Sequence, residues 1–285
     1  MAGARGAAGP GSLNDDLPWC VEAACQAAWP TGAETVAVGW IVRAAGGATR
    51  RLNSVNPTRG GPRDPAAVLP FAAERLAAVG KPLRVRVPAI ATGLDAALDA
   101  LGFGATEGET LTVAAALSAR PPTPGVHLST RADAAWLAAR AALADLSPDA
   151  REQLADTVAR VPVPAAFATL RADGAALAVG CGVLIDGLLV LEAIATHPAH
   201  RWQGHGRALV AALLGWGAAA GATLACLQVQ ADNAPALALY RGLGFDRELY
   251  RYHYRTAPDA ALGAFAVAPA MRSDERGGDL AEDHA

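Results

Sequence analysis

Hydrophobic positions in the first half of the chain change repeatedly between the period of a helix and the period of a strand. Apolar residues three or four apart predict helices over residues 18–29, 65–79 and 94–101. Apolar runs bounded by glycine or proline predict strands over residues 36–45, 48–55, 83–87 and 110–117. Gly46 and Gly47 predict the turn of a hairpin that joins the first two strands.

The second half has the same alternation. Helices are predicted over residues 131–143, 148–159, 204–220 and 234–243. Strands are predicted over residues 166–171, 176–185, 188–196, 223–230 and 249–255. Ser147 is the predicted N-cap of the second of these helices. Both halves therefore end in a helix, a strand, a short helix, a Gly-Phe pair and a final strand.

The two endings also resemble each other in sequence, since ALDALGF in the first half matches LYRGLGF in the second. We predict two copies of one α+β unit, a mixed α/β sheet fold. The segment SARPPTPG, with three prolines and a glycine, predicts the boundary between them. The predicted organisation is a tail (1–16), an N-terminal domain (17–118), a linker (119–125), a second domain (126–256) and a flexible C-terminal tail (257–285).

Composition narrows the class of protein. The 285 residues are 52% hydrophobic and carry a formal net charge of -3, which argues against a wholly disordered chain and against a nucleic-acid binder held by charge. The four cysteines form no CxxC pair, and the first residues lack the apolar core of a signal peptide, so we predict free thiols in the cytoplasm. Residues 208–229 are apolar but interrupted by glycine, which favours a helix followed by a strand over a membrane span.

The loop between the predicted strand 188–196 and the predicted helix 204–220 carries the pattern R-x-x-G-x-G. A helix N-terminus preceded by glycine presents unpaired N–H groups to phosphate oxygens, and Arg201 and Arg207 add charge beside it. Two other phosphate sites do not fit. A P-loop needs GxxxxGK, and a dinucleotide fingerprint needs Gly or Ala where Leu209 stands.

A second motif starts at Asn233 and ends at Phe245, with the pattern N-x-x-A-x-x-L-Y-x-x-x-G-F. The order of strand, R-x-x-G-x-G, helix, strand and this motif resembles the GNAT superfamily of acyl-CoA-dependent N-acyltransferases. The resemblance covers residues 129–255 and is tightest over 191–245. The first half resembles a degenerate copy of the same fold, because its equivalent loop, RGGPRD at residues 59–64, lacks the motif.

The resemblance implies two GNAT-like units in tandem, each a twisted and mostly antiparallel sheet flanked by helices. It also implies that the strand before the loop separates from strand 223–230, so that the pantetheine arm of acetyl-CoA enters the gap. The residues that it implies for binding this cofactor are Ile194, Ala195, Thr196, Arg201, Trp202, Gln203, Gly204, His205, Gly206, Arg207, Asn233 and Tyr240. Trp202 and Thr196 depart from the residues that are usual in the family, at positions where the backbone binds.

Transfer of an acyl group to an amine requires a neutral amine, stabilisation of the oxyanion and protonation of the departing thiolate. A lysine-like amine with a pKa of about 10.4 costs roughly 4 to 5 kcal/mol to deprotonate at pH 7, so a proton acceptor is needed. Glu192 is the candidate base. The alternative interpretation is that its carboxylate is a solvated charge at the end of a strand. A backbone N–H near Ile194 is the candidate oxyanion donor. Tyr240 is the candidate acid. The alternative interpretation is that it is a tyrosine of the hydrophobic core.

The remaining histidines, cysteines and tryptophans are predicted to have structural rather than catalytic roles. We interpret His197, His200 and His205 as solvated loop histidines and predict no metal site. Cys181 and Cys226 are predicted core residues, and the tryptophans at positions 19, 29 and 40 are predicted to pack the first half. The polar groups of residues 39–43 and 50–57 are either an acceptor cleft between the halves or hydrogen bonds at the hairpin end.

The predicted function is an acetyl-CoA-dependent N-acetyltransferase whose second half is catalytic. The acceptor is a primary amine of a small molecule or a peptide, and it attacks directly because no activated Cys or Ser is apparent. Two alternatives stay open: a non-catalytic sensor of acyl-CoA, and a transferase that uses another acyl donor. The sequence predicts no nucleic-acid or membrane partner and leaves monomer and homodimer open.

Overall fold

A computed structural model describes residues 13–258, in which one mixed sheet is covered by helices on both faces. Its helices are α1 (Leu13–Ala28), α2 (Leu69–Ala77), α3 (Leu94–Ala100), α4 (Ala134–Leu143), α5 (Pro148–Ala159), α6 (His205–Ala219) and α7 (Ala234–Arg241). Its strands are β1 (Glu34–Ala37), β2 (Trp40–Ala44), β3 (Asn53–Pro57), β4 (Arg84–Pro88), β5 (Glu107–Ala116), β6 (Val126–Ser129), β7 (Ala165–Ala172), β8 (Ala175–Ile185), β9 (Leu188–Thr196), β10 (Leu224–Gln230) and β11 (Arg247–Thr256). The predicted mixed α/β class is confirmed.

The two halves share this sheet because they exchange their last strands. The strand order is β1-β2-β3-β4-β11-β5-β10-β9-β8-β7-β6. The final strand of the second half, β11, pairs with β4 of the first half, and the final strand of the first half, β5, pairs with β10 of the second. The resemblance implied a sheet for each unit, whereas residues 13–258 form a single sheet of 11 strands. The predicted domain boundaries stay a prediction.

The repeated Gly-Phe pair ends a helix in the same way in both halves. Gly102 follows α3 with a φ of 75°, and Gly244 follows α7 with a φ of 99°. The next N–H, from Phe103 or Phe245, donates to the carbonyl five residues earlier, and both phenylalanine side chains are buried. This is a Schellman cap with its hydrophobic contact, so the repeat in the sequence is a repeated helix stop.

Each face of the sheet is covered by its own group of helices. Residues opposite each other in an antiparallel pair lie on one face, so Arg86 shares the face of Tyr254, while Leu111 and Arg251 share the other. The face with Tyr254 is covered by α1, α4 and α5. The other face is covered by α2 and α3 over the first half and by α6 and α7 over the second. Helix α1 of the first half thus packs on strands of the second.

Several predicted elements differ from those in the structure. The strand predicted over 36–45 is a hairpin in itself, because Val38 and Gly39 adopt left-handed φ values of 50° and 77°. The strand predicted over 48–55 begins with a short 3-10 helix, Arg50–Leu52, before β3. Strand β6 was not predicted, since four residues at a sheet edge carry little pattern.

Other predicted elements agree closely with those in the structure. Strand β9 and helix α5 have the predicted bounds, and the Ser147 hydroxyl accepts the N–H of Ala150 as an N-cap. Residues 208–229 form part of α6 and all but the end of β10, as predicted, and none of the helices between residues 13 and 258 is long and apolar enough to cross a membrane. Helix α1 begins at Leu13, inside the predicted N-terminal tail. Most of the predicted C-terminal tail, residues 259–285, lies outside the described residues.

A buried ion pair ties α1 to the exchanged strands. Nη2 of Arg86 on β4 lies 2.9 Å from Oε2 of Glu22 on α1, and the two side chains are 0% and 2% exposed. The Tyr250 hydroxyl donates to the same oxygen at 2.6 Å, and the Arg86 guanidinium stacks on the Tyr252 ring at 3.7 Å. Both tyrosines lie on β11. The pair therefore links a helix of the first half to the last strand of the second.

Replacing Arg86 with methionine should lower the free energy of unfolding by about 3–5 kcal/mol, because the Glu22 carboxylate is left buried without its counter-charge. Urea unfolding followed by circular dichroism measures the loss. The double variant Arg86→Met/Glu22→Gln should recover most of it. A loss below about 1 kcal/mol in the single variant would show that this pair does not hold the halves together.

Candidate acyl-CoA site

A gap opens in the sheet between β9 and β10. These parallel strands pair only where Leu188–Val190 face Leu224–Cys226, and the remaining residues of β9 no longer pair with β10. The family resemblance implied that the two strands separate. The gap lies at the carboxyl end of β9, directly before the glycine-containing loop.

A β-bulge shapes the wall of this gap. Val179 of β8 pairs with Ala195, and Cys181 pairs with Glu192, so β9 has one more residue than β8 between the two pairs. Ala193 takes up the bulge with a φ of 56°. A Cβ atom at Gly180 would collide with Cδ1 of Ile194, so a larger residue opposite the bulge would require this side chain to move. The backbone that was predicted to bind the pantetheine arm, at residues 194–196, follows the bulge directly.

The N-terminus of α6 is free of side-chain caps. Gly204 is the N-cap residue with a left-handed φ of 85°, and it has no side chain to accept an N–H bond. Within the described chain, the N–H groups of His205, Gly206 and Arg207 have no hydrogen-bond partner, and the first N–H that bonds back to Gly204 is that of Ala208. These donors and the helix dipole form a site that can hold an anion.

Close packing positions this helix end beside the gap. Gly206 is buried, and a Cβ atom there would lie 2.9 Å from Oγ1 of Thr196 and 3.5 Å from Cδ2 of Leu239. The helix therefore approaches β9 and α7 as closely as a glycine permits. Threonine at position 196, a departure from the family pattern, is one of the two contacts.

The charged side chains of the loop point to solvent. Arg201 and Arg207 are exposed, and neither takes part in an ion pair of residues 13–258. The Arg207 guanidinium lies over Gly242 at the end of α7. Trp202 is 83% exposed, and Gln203 is also exposed. The loop thus offers two unpaired guanidinium groups near the free N–H groups.

The three histidines of this region pack edge to face in a row. The rings of His197 and His200 are 5.0 Å apart, and those of His200 and His205 are 6.3 Å apart. Nδ1 of His197 accepts the N–H of Ala199. Over residues 13–258, no group of three or more His, Cys, Asp or Glu side chains is arranged to hold a metal ion.

Tyr240 on α7 is buried beside the gap. Its ring packs edge-on against Phe245 at 5.8 Å, and among the described residues its hydroxyl has no hydrogen-bond partner. Burial and, second, the negative charge of Glu192 raise the pKa of the Tyr240 hydroxyl to about 12. The structure therefore brings the predicted acid and the predicted base within electrostatic reach of each other, and the hydroxyl stays protonated at neutral pH.

Glu192 is not a solvated charge at a strand end, which was the alternative to its catalytic role. Its side chain is 11% exposed and forms a bidentate ion pair with Arg51, with Oε2 at 2.9 Å from Nη1 and Oε1 at 2.7 Å from Nη2. Glu192 pairs with Cys181 and so lies on the face of α1, whereas Tyr240 belongs to the cluster on the opposite face. The two side chains approach the gap from opposite faces of the sheet.

Arg51 is the site residue that sequence reasoning missed. The sequence singled out its segment, residues 50–57, as polar but did not connect it with Glu192, which is 141 residues away. The buried Asn53, Ser54 and Asn56 instead bond to nearby backbone or to each other, which favours the hairpin-end interpretation for them. Only Arg51 of this segment reaches the site.

Asn233 has a structural role in the described chain. Its side-chain oxygen accepts the N–H of Ala236 at 3.2 Å and so caps α7. Asn233 is exposed, and its predicted contact with the cofactor stays a prediction. The cap nevertheless fixes the start of the helix that carries Tyr240.

The structure agrees with the core predictions for Cys181, Cys226 and Trp40 but not for Trp29, and Trp19 is half-buried and belongs to none of the buried clusters of residues 13–258. Cys181 and Cys226 are fully buried, and burial raises the pKa of the Cys181 thiol. Trp40 is a core residue of the first half. Trp29 instead packs against the cluster beneath α1, α4 and α5, which includes side chains of both halves, because α1 extends over the second half.

Comparisons with known proteins agree with this geometry. A family model described as "Probable histone acetyltransferase Rv0428c C-terminal" matches residues 20–255. A mycothiol acetyltransferase from Kineococcus radiotolerans is 36% identical over 152 residues, which are 51% of this chain and 48% of that protein. The chain spans about half the length of the curated relatives that it matches.

Two solved structures have the same fold. A GCN5-related N-acetyltransferase from Kribbella flavida is 23% identical with a TM-score of 0.57, covering 88% of this chain and 95% of that one. A tandem GNAT protein from the clavulanic acid biosynthesis pathway is 17% identical, also with a TM-score of 0.57, covering 88% and 89%. The match over residues 20–255 shows that the chain belongs to the matched family of acetyltransferases. The resemblance to tandem GNAT proteins drawn from the sequence is thereby confirmed.

Proposed function

We propose that the protein is an acetyl-CoA-dependent N-acetyltransferase in which an amine attacks the thioester directly. The observation that carries this proposal is the uncapped N-terminus of α6 beside the gap between β9 and β10. The names of the relatives, which are acetyltransferases, support it.

The residues at this place fit coenzyme A. Three backbone N–H groups, at His205, Gly206 and Arg207, are free for diphosphate oxygens, and exposed arginines flank them. The part of β9 that does not pair with β10 offers backbone donors and acceptors to the amides of the pantetheine arm. Trp202 and Gln203 lie on the solvent side of the loop, where they can cover the nucleotide.

When bound, acetyl-CoA supplies the activated acetyl thioester. The backbone N–H at Ile194, next to the bulge, is the proposed oxyanion donor, since an N–H aimed at a developing charge contributes about 3 kcal/mol. Glu192 is the proposed acceptor for the proton of the attacking amine, directly or through water. Each of its oxygens accepts one bond from Arg51 and keeps a second lone pair for this purpose.

Tyr240 is the proposed donor to the departing sulfur. A phenol with a pKa of about 12 is a weaker acid than an ordinary thiol at about 8.5, so full transfer of its proton to a thiolate would cost about 5 kcal/mol. Tyr240 therefore acts as a hydrogen-bond donor that stabilises charge on sulfur, and a proton released by the amine restores neutrality. Its raised pKa keeps the hydroxyl in this donor form throughout the neutral range.

Acceptors are proposed to enter on the face of α1, where the two halves meet, because Glu192 lies on that face. An α-amino group with a pKa near 8 costs only about 1 to 1.5 kcal/mol to deprotonate at pH 7, so it reacts more readily than a lysine-like amine. The proposed acceptors include the amines of both small molecules and peptides. A cytoplasmic location and an assembly of one or two chains stay predictions.

The test is thioester consumption with acetyl-CoA across a panel of amines, together with calorimetric titration of coenzyme A. We expect binding and acetyl transfer to at least one primary amine. Binding without transfer to any acceptor would favour the alternative of a non-catalytic acyl-CoA sensor. Weak binding of acetyl-CoA compared with a longer acyl-CoA would favour a different acyl donor.

A further inference from the structure

We propose that Arg51 of the N-terminal half is a positioning residue of the active site, so that the two halves form one catalytic unit. This inference rests on the proposed function. Arg51 acts through Glu192, because it orients the carboxylate beside the gap. The first half is then more than a scaffold, although its own loop lacks the phosphate-binding motif.

The contact between the two residues has the geometry of an orienting pair. Both Glu192 oxygens are engaged, at 2.9 Å and 2.7 Å, and the side chains of Arg51 and Glu192 are 13% and 11% exposed. A two-point bond between planar groups fixes the plane of the carboxylate as well as its position. Nη2 of Arg51 also donates to the carbonyl oxygen of Cys25 on α1, which holds the guanidinium from a second side.

The turn that carries Arg51 is itself held firmly. The buried Asn53 side chain accepts the N–H of Gly46 at 2.8 Å and donates to the carbonyl of Thr49 at 2.9 Å. From the second half, Gln153 of α5 donates to the carbonyl of Gly46 at 2.7 Å. These bonds close the loop around the 3-10 helix and fix the direction of the Arg51 side chain, as expected for a residue that orients another.

Few other titratable groups face the Glu192 carboxylate. They are the thiol of Cys25 from α1, the thiol of Cys181 from β8 and the hydroxyl of Tyr240 from α7. All three are buried and neutral at pH 7: burial raises the pKa values of Cys181 and Tyr240, and a hydrogen bond with Cys226 and, second, burial raise that of Cys25. Arg51 is therefore the only cation in direct contact with the carboxylate among the described residues.

The test compares Arg51→Met, Arg51→Lys and the control Arg50→Met. Arg50 is the adjacent residue, its side chain is 44% exposed, and its nearest carboxylate is that of Glu107 at 3.9 Å. We expect Arg51→Met to lower kcat about 100-fold with the KM for acetyl-CoA nearly unchanged, because misplacement of a catalytic group costs about that factor. Arg51→Lys should keep the charge but lose the two-point bond, and so have an intermediate kcat.

The division of the effect between kcat and KM separates positioning from mere support of the fold. We expect the loss in Arg51→Met to fall on kcat, with a KM for acetyl-CoA close to that of Arg50→Met. If Arg51→Met does not fold, Arg51→Lys decides the question through its kcat at unchanged KM. An Arg51 variant that is folded and has the kcat of Arg50→Met would overturn the proposal.

A second measurement needs no turnover. Carbon-13 NMR of protein labelled at glutamate carboxyl carbons, with Glu192→Gln for assignment, reports the surroundings of the Glu192 carboxylate directly. At constant pH its signal should move or broaden in Arg51→Met and stay in place in Arg50→Met, and an unchanged signal in Arg51→Met would contradict the proposal. An unmodified chain without any transferase activity would instead overturn the proposed function, and the NMR comparison would still decide the role of Arg51.

Discussion

Replacing Tyr240 with phenylalanine is expected to lower kcat by about 10²- to 10⁴-fold while the affinity for coenzyme A changes little. The hydroxyl is buried beside the gap, it has no hydrogen-bond partner among the described residues, and its raised pKa keeps it protonated. Phenylalanine keeps the ring contact with Phe245 and removes only the donor. Steady-state kinetics with acetyl-CoA and the best acceptor amine, together with calorimetry, measure the two quantities.

The matched control is Tyr254→Phe. Tyr254 is also buried, and burial raises its pKa, but it belongs to the cluster beneath α1 rather than to the cluster that contains α7. We expect near-normal kcat from this control. Normal turnover in Tyr240→Phe would remove the hydroxyl from the reaction and leave Tyr240 as a core residue, which was the structural alternative.

Replacing Gly206 with alanine should weaken coenzyme A binding about 10- to 100-fold. The new Cβ would lie 2.9 Å from Oγ1 of Thr196, and because Gly206 is buried against β9 and α7, we expect the start of α6 to shift away from β9. Such a shift displaces the free N–H groups, and one charge-assisted hydrogen bond is worth about 1.5–3 kcal/mol. The dissociation constant from calorimetry at constant ionic strength gives the effect.

Two variants make this prediction specific. Gly206→Ala/Thr196→Ala removes the colliding oxygen and should regain part of the lost affinity. Gly215→Ala lies on the same helix away from its N-terminus, where the nearest heavy atom to a new Cβ is 3.7 Å away, and it should bind normally. If Gly206→Ala binds coenzyme A as well as Gly215→Ala does, the close approach of α6 to β9 has no part in binding.

Local signals in the sequence predicted most of the second half. The bounds of β9 and α5 were predicted because turn residues and an N-cap mark them, and the loop at Gly204 was predicted because the R-x-x-G-x-G pattern lies between a predicted strand and a predicted helix. The hairpin turn at Val38 was not predicted, because valine rarely adopts a left-handed conformation. Patterns of local origin thus located the candidate phosphate site.

Contacts between distant parts of the chain could not be predicted in the same way. The exchange of β5 and β11 leaves no trace in the hydrophobic pattern of either strand. A buried strand needs apolar residues whichever strand it pairs with, so its sequence does not identify its partner. The pair of Arg51 and Glu192 depends on that exchange and on α1 packing over the second half. A single sequence shows that both residues are charged but not that they meet.

The central claim is that the start of α6 binds a diphosphate and thereby holds a thioester in the gap between β9 and β10. Calorimetric titration with coenzyme A and, separately, with pantetheine, which lacks the diphosphate, tests it most directly. The account predicts clear binding of coenzyme A, much weaker binding of pantetheine, and a loss of the difference in Gly206→Ala. Equal affinity for both compounds, or no heat from coenzyme A, would contradict it.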